Sequence, residues 1–585
     1  MLDENIKKRI EKYKKYERDP VFLEELERLT SSMDEGELYE RFYCDLAFGT
    51  AGLRGAIGAG TNRMNSFVIS RATQGIANYL IKTHPALAKE KKLKAVIAYD
   101  SRNNSASFAK TAALIFAGNG IKTYLFSSMR ATPELSFAIR RLNCQTGVVV
   151  TASHNPPEYN GYKAYWEDGV QIREPHDAKI TKEVEDVVDI HSIEEEKAIS
   201  EGLLSIIDDV LDKPYFEYLF NMISEHDAIK KTKDKIKIVY TPLHGVGAAF
   251  VEKVLKDSSF NLFTVPEQRE GDGNFPTVEY PNPEDPKALK LALEYAKKEK
   301  ANVIMATDPD ADRFACGVAN NDGDISLLTG NQIGVLFFDY LCQTKIKNIK
   351  NPAIVRSIVT THMVDKIASS HNVRLFECLT GFKWICGLYG KLEEEGKYNY
   401  VFGFEESFGY NFWGDVRDKD GILASLMFAE LTSYWAAKNK SPLDRLEELF
   451  REYGLFMEHT INKTYRGSEG NATMQAIMKK VRDAFFSEIA GIPVLKIRDV
   501  WEGVEYEKTS GNKKAIDLPK SNVLQYFMQD GSVISIRPSG TEPKIKAYIV
   551  SEGEASSNIV DAKKTLQQKL DSYKAFWLSI LGDAK

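Results

Sequence analysis

Three times along this chain a short apolar run gives way to a polar or glycine-bearing turn and then to a helical pattern. "KAVIAYDSR" leads into "SASFAKTAALIFAGNG", and "KIKIVYTPLHGVGAAFVEKVLK" holds strand, turn and helix in one stretch. "PAIVRSIVTTHMVDKIASSHNVRLFEC" repeats the order and closes on a second strand. Strand, loop, helix and strand in this succession are the grammar of a parallel α/β sheet. The three units share a rhythm but little residue identity. They predict three similar mixed α/β sheet domains in series, with the first forty-odd residues helical. After about residue 437 the texture changes to a helical "SPLDRLEELFREYG", short strands such as "SVISIR" and "KIKAYIV", and a final amphipathic helix, which predicts a smaller C-terminal α+β domain. The expected divisions are 1–210, 211–326, 327–437 and 438–585, arranged around a central cleft.

Composition narrows the function classes. A chain of 585 residues is several times the usual domain length, and 43% hydrophobic residues supply full cores. The formal net charge of −6 is small for this length, so no nucleic-acid or membrane footprint is expected. Six cysteines are scattered without a CxxC pair, which argues against structural zinc and a disulfide framework. The charged N-terminus lacks the apolar core of a signal peptide, and no run approaches the roughly 18 apolar residues that span a bilayer. The expectation is a cytoplasmic protein.

Four stretches carry chemistry. In "VVVTASHNPPEYNGYK" an apolar strand runs into a polar loop at Ser153. Rigid sheets expose reactive groups at such strand ends. No G-x-S-x-G elbow surrounds Ser153, and the adjacent His154 is poorly placed as its base. Asn155-Pro156-Pro157 is strong turn chemistry, so on this stretch alone a plain turn and a nucleophile stand level. "ATDPDADRFA" places Asp308, Asp310 and Asp312 at strict alternation after an apolar run. In an extended segment residues two apart face one side, so the three carboxylates would converge as hard oxygen ligands for Mg²⁺. An EF-hand fails, because its glycine and glutamate positions hold Arg313 and Ala319.

"SIRPSGTEPKIKAY" is dense in groups that hold phosphate. Arg537 can grip it bidentately, Ser539 and Thr541 add hydroxyls, and Gly540 lets backbone N–H groups approach, against the plainer reading of a hairpin turn. "FGFEESFGYNFWGDVRDKDG" brings Glu405, Glu406 and Ser407 among aromatic residues, which suits a polyhydroxylated ligand, although two surface loops would read alike. Lys419 can serve as acid or base in a closed cleft. No nucleoside-triphosphate loop, H-E-x-x-H or dinucleotide fingerprint is present. A serine, a Mg²⁺ site, a sugar-like loop and a phosphate loop together point to phosphoryl transfer on a phosphosugar without ATP.

These four motifs in this order resemble the α-D-phosphohexomutase superfamily over nearly the whole chain. "TASHNP" is similar to its phosphoserine loop, "DPDADR" to its metal loop and "RPSGTEPKIKAY" to its phosphate-binding loop. "FGTAGLRG" and "IGAGTNRMN" resemble the phosphoglucomutase-2-type branch, which includes phosphoglucomutases, phosphopentomutases and a glucose-1,6-bisphosphate synthase. The resemblance implies that Ser153 carries a phosphoryl group and that one Mg²⁺ per chain is held by Asp308, Asp310, Asp312 and the phosphorylated Ser153. It also implies glucose 1,6-bisphosphate as intermediate and activator. Lys163 and Lys419 match acid–base positions and Arg54 one that supports the phosphoserine, while His154 is read as orienting or hydrogen-bonding rather than as a triad base. Arg313, Glu405, Ser407, Gly381 and Lys383 match sugar-facing positions. The sugar loop departs from the family pattern, since Phe404 stands between Gly403 and Glu405 at the expected rim of the pocket. The resemblance thus implies a glucose 1-phosphate/glucose 6-phosphate mutase, with a phosphopentomutase, a bisphosphate synthase or a non-catalytic phosphosugar-binding scaffold as alternatives. A monomer or homodimer is expected, with a small phosphosugar as its only partner.

Overall fold

A computed structural model describes residues 3–582 apart from 33, 50–51, 466–469, 540–543, 555 and 557. It shows three α/β/α layers in series and a β-rich C-terminal part, falling into two compact units. One unit comprises residues 1–329 together with 408–439, the other 330–407 together with 440–585. No helix among the described residues is long and apolar enough to cross a membrane.

The first unit opens with three helices, Glu4–Tyr16, Pro20–Ser31 and Glu35–Phe42, each started by an aspartate whose carboxylate accepts backbone N–H groups. Its larger sheet has six strands in the order Gly52–Ala56, Tyr159–Trp166, Thr146–Val150, Lys94–Tyr99, Lys122–Phe126, Leu204–Ile207. The last four run parallel, and Tyr159–Trp166 is antiparallel to both of its neighbours. Thr146–Val150 is buried at every position, as a sheet covered on both faces demands. The second sheet runs Ile325–Leu327, Phe314–Ala319, Val303–Thr307, Lys237–Thr241, Asn261–Thr264, again mixed. The segment 408–439 adds the helix Gly421–Ala436, which is buried at all but two of its 16 positions. It packs on the helices His226–Thr232 and Gly247–Asp257.

In the second unit Pro352–Ser357 lies between Arg374–Cys378 and Asn399–Glu405, all parallel. An antiparallel sheet follows, in which Leu455–Thr464, Lys544–Gly553, Val533–Pro538, Leu524–Met528 and Ile492–Asp499 are successive neighbours. The helices Gly470–Ala484 and Ile559–Leu581 cover it, closing a core around Tyr526, Tyr573 and Trp577.

Candidate active site

Ser153 sits just beyond the strand Thr146–Val150, with its backbone in the left-handed region at φ 54°. A non-glycine residue held there stores on the order of 1–3 kcal/mol, so the surroundings must fix it. They do. Its N–H donates to Thr151 Oγ1 at 2.8 Å, and its carbonyl accepts from Arg102 Nη2 at 2.6 Å. The Arg102 side chain is fully buried and also donates to the carbonyls of Pro156 and Tyr159, both at 2.9 Å, and of Asn155. One guanidinium therefore clamps the whole loop. Asp100, 3.5 Å from Arg102 Nε, holds it from behind and receives the Arg102 N–H at 3.0 Å.

The Ser153 hydroxyl donates to Asp308 Oδ2 at 2.7 Å and lies 3.2 Å from His154 Nδ1. Burial, followed by the nearby Arg313 and Arg54 guanidinium groups, holds the His154 pKa well below the ordinary range, so the ring is neutral. Asp308, Asp310 and Asp312 are buried, and one oxygen from each lies within 4.8 Å of the others. The alternation works differently from the sequence expectation. The strand ends at Thr307, and Asp308–Asp312 is a turn closed by the Ala311 N–H on the Asp308 carbonyl at 2.9 Å, with Ala311 at φ 52°. The carboxylates converge because the chain curls around them, not because they share one face of an extended segment. Gly245 permits the close approach of the neighbouring loop, since a Cβ there would lie 2.3 Å from Pro309 Cα.

Cations surround the acids. Lys163 Nζ donates to Asp310 Oδ2 at 2.6 Å and Asp312 Oδ2 at 3.0 Å, and Lys419 Nζ lies 3.1 Å from Asp312 Oδ2. Burial would lower the Lys163 pKa, but Asp310 and Asp312 outweigh it and raise it. For Asp308 burial and the two neighbouring carboxylates act together and push its pKa well up. Burial acts the same way on Asp312, yet Lys163, Lys419 and Arg313 prevail and hold it far below the usual carboxylate range. Among the described residues, Asp310 Oδ1 and Asp312 Oδ1 are buried and meet no hydrogen-bond donor. Two orphaned carboxylate oxygens beside a third acid fit a hard divalent cation.

Sheet register brings the rest together. Arg54 pairs across from Gly161 and reaches Asn155 Oδ1 at 3.3 Å; Lys163 pairs with Val149, four residues before Ser153. Arg313 donates its N–H to Asp308 Oδ1 at 2.9 Å, and its guanidinium bonds Glu284. Sequence reading missed Arg102 and Thr132, whose hydroxyl donates to Asp310 Oδ2 at 2.7 Å. The signal for Arg102 was available, because "YDSR" ends the strand that neighbours Thr146–Val150.

The second unit carries the ligand-like loops. Gly381, at φ 114°, precedes the helix Phe382–Glu395, and its N–H donates to Glu405 Oε1 at 2.5 Å. Lys383 lies on this helix with its ammonium 5.4 Å from the Trp384 ring. Arg537 bonds the Thr380 hydroxyl, so the phosphate-like and sugar-like loops meet within one unit. The Ser539 N–H donates to the Lys544 carbonyl at 2.6 Å. Gly540 and Thr541 lie outside the described residues. Ser407 follows Glu405 beyond the strand and is half-buried. The expectation for Phe404 is corrected. It is fully buried, stacked on Phe402 at 5.4 Å, and lies so close to Gly334 that a Cβ there would come within 2.2 Å of its ring. It belongs to the core and does not narrow a ligand pocket.

Family models for the phosphoglucomutase/phosphomannomutase α/β/α domains I, II and III match residues 45–189, 213–323 and 329–453 in order. The chain belongs to the phosphoglucomutase/phosphomannomutase family. Members of this α-D-phosphohexomutase superfamily are mutases that move a phosphoryl group within a sugar phosphate, and the chain is an enzyme of this class, which removes the scaffold alternative. A Staphylococcus epidermidis phosphoglucomutase is 34% identical over 88% of this chain and 92% of its own length. The human phosphopentomutase is 35% identical over 91% of this chain and 89% of its own. Among solved structures, the open form of the phosphoglucomutase parafusin from Paramecium superposes with a TM-score of 0.68 at 19% identity, over 92% of this chain and 95% of that one. A Thermus thermophilus phosphomannomutase gives 0.64 at 22%, over 90% and 99%. Both likenesses concern the fold of this phosphohexomutase.

Proposed function

We propose that this phosphohexomutase is a phosphoglucomutase that interconverts glucose 1-phosphate and glucose 6-phosphate through a phosphorylated Ser153 and glucose 1,6-bisphosphate. The observation that carries the reading is the Ser153 hydroxyl 2.7 Å from Asp308, beside two acids whose free oxygens fit a metal ion. Asp308, Asp310 and Asp312 would hold one Mg²⁺ per chain together with the serine phosphate. When bound, that ion withdraws charge from the phosphoryl oxygens.

Phospho-Ser153 gives its phosphoryl group to a sugar hydroxyl: the P–O bond to the serine breaks as a new P–O bond to the sugar forms. The sugar bisphosphate then returns its other phosphoryl group to Ser153. Lys163, held protonated by its two aspartates, fits the role of acid for the departing oxygen, and Lys419 completes the acid–base pair. Neutral His154 positions the hydroxyl, and Arg102 with Arg54 fixes the loop. Glu405 and Ser407, with Gly381, Lys383 and Arg313, would hold sugar hydroxyls; Arg537, Ser539, Gly540 and Thr541 would hold the phosphate that is not reacting. The segments 1–210, 211–326, 327–437 and 438–585 would then be phosphoserine, metal, sugar and phosphate domains.

Relatives named phosphoglucomutase and phosphopentomutase stand at nearly equal identity, which keeps a pentose mutase as the second reading. The ratio of kcat/KM on glucose 1-phosphate to that on ribose 1-phosphate separates the two. A value well above one supports the hexose reading, and a value well below one replaces it. Ser153→Ala should abolish turnover and remove the phosphoryl group from the intact mass. An unchanged rate would discard the assignment of Ser153.

A further inference from the structure

Within the first unit, the helices Glu4–Tyr16, Glu35–Phe42 and Ser66–Thr83 border a cavity of about 440 Å³ that opens to solvent and shares no lining residue with the Ser153 loop or the acidic turn. That volume lies within the range of small-ligand sites, about 300–1,000 Å³. Its lining holds four cations, Lys8, Arg9, Lys12 and Arg71, against two carboxylates, Asp3 and Asp45. Both carboxylates are already committed. Asp3 caps the first helix, accepting the N–H groups of Asn5 and Ile6. Asp45 is shared between Arg9 and Arg71, the latter at 2.8 Å.

Two of the cations are thus left without a direct ion pair, Lys12 feeling Asp45 only at a distance. Lys8 and Lys12 stand one helical turn apart on Glu4–Tyr16, and neither forms an ion pair among the described residues. Burial, followed by repulsion from Arg71, lowers the Lys12 pKa. Arg71 has a side chain nine-tenths buried, with its Nε meeting no hydrogen-bond acceptor. An acceptor-rich anion would satisfy all three groups.

Part of the lining is aromatic. Tyr39 and Tyr43 are stacked with ring centroids 5.8 Å apart and planes 12° from parallel, yet they remain 54% and 48% exposed. A tyrosine pair that is half open to solvent beside unpaired lysines offers a face on which a flat ring can continue the stack.

We infer that this cavity is a second ligand site, separate from the mutase centre, for a small phosphorylated molecule with a planar ring, of the nucleotide class. The lysines and Arg71 take the phosphate, and the tyrosine pair takes the base. The test is calorimetric titration of the full-length protein with ADP, in the presence of saturating glucose 1-phosphate, with inorganic pyrophosphate as the ringless control. Wild-type protein should bind one ADP per chain, at least tenfold more tightly than pyrophosphate. Lys8→Glu/Lys12→Glu, two exposed changes on one helix face, should weaken ADP at least tenfold while mutase kcat/KM stays unchanged. Tyr39→Ala should lower ADP affinity toward that of pyrophosphate. Absence of ADP binding to wild-type protein, or undiminished binding by the double variant, would overturn the site. Pyrophosphate binding as tightly as ADP would overturn its assignment to a nucleotide.

Discussion

At the scale of single residues, the site depends on groups that never meet substrate. Arg102 joins three loop carbonyls to the strained backbone of Ser153, so Arg102→Met should leave the hydroxyl chemistry intact and spoil its placement. Turnover should fall about 10²-fold, the scale expected when a reacting group shifts by an ångström. Steady-state kcat is the readout, and a loss confined to KM would contradict the clamp. Asp420 permits a pH prediction. Its carboxylate caps the helix Gly421–Ala436 and accepts from Tyr215 at 3.0 Å, but burial raises its pKa to about 7 against those bonds. A carboxyl whose pKa is raised on folding stabilises most below pH 4 and loses that contribution as the pH climbs through 7. The loss is at most on the order of 4 kcal/mol. Asp420→Asn keeps a capping oxygen and cannot titrate. The variant's Tm relative to wild type should therefore rise by several degrees between pH 5 and pH 8, and a fall over that interval would reverse the argument.

At the scale of elements, helix starts and close contacts decide local order. Asn65 is fully buried, caps the helix Ser66–Thr83 through Val68 N–H, and donates to the carbonyls of Gly58 and Gly60 at 2.8 and 2.7 Å. Asn65→Ala removes the cap and the tether of the glycine loop that follows Arg54, at a cost of about 3 kcal/mol. The urea midpoint measures it. In the same helix a Cβ on Gly75 would sit 2.4 Å from Val184 Cγ2 and 2.7 Å from its backbone, so Gly75→Ala should destabilise by about 1–3 kcal/mol through overpacking. An unaffected midpoint would mean that the helix Asp177–Glu185 yields freely. This is also the scale at which sequence reading succeeded and failed. Strand–turn–helix order was legible because burial writes apolar runs and caps into the chain. The acids at 308, 310 and 312 were legible because their spacing is local, although the turn that gathers them was not, since its left-handed residue is an alanine. The pairing of Lys163 with these acids was not legible, because it joins side chains from two different sheets and no local spacing records how those sheets meet. Arg102 was overlooked although it follows the strand Lys94–Tyr99, because a buried guanidinium bonded to carbonyls belongs to no catalytic motif and only its place at that strand end marks it.

At the scale of the whole molecule, the chain leaves its first unit at residue 329 and comes back to it over 408–439. Without that return, the surfaces of the helices His226–Thr232 and Gly247–Asp257 that receive Gly421–Ala436 would face water. A fragment ending at residue 329 should therefore expose apolar surface, bind a hydrophobic dye and show a weakened near-ultraviolet circular dichroism signal. Cooperative unfolding of that fragment near the Tm of the full chain would show that the return is dispensable.

The return also sets a timetable. A ribosome builds the chain from its first residue onward, and Ser153 and the three aspartates emerge well before Lys419 does. At typical elongation rates the gap between residues 329 and 439 lasts roughly ten seconds. Throughout it the nascent first unit waits, its cavity for one apolar helix unfilled and its acids short of a cation. Newly made molecules would then present that apolar surface at a defined chain length, and the acidic turn would gain Lys419 in the same late step that covers it.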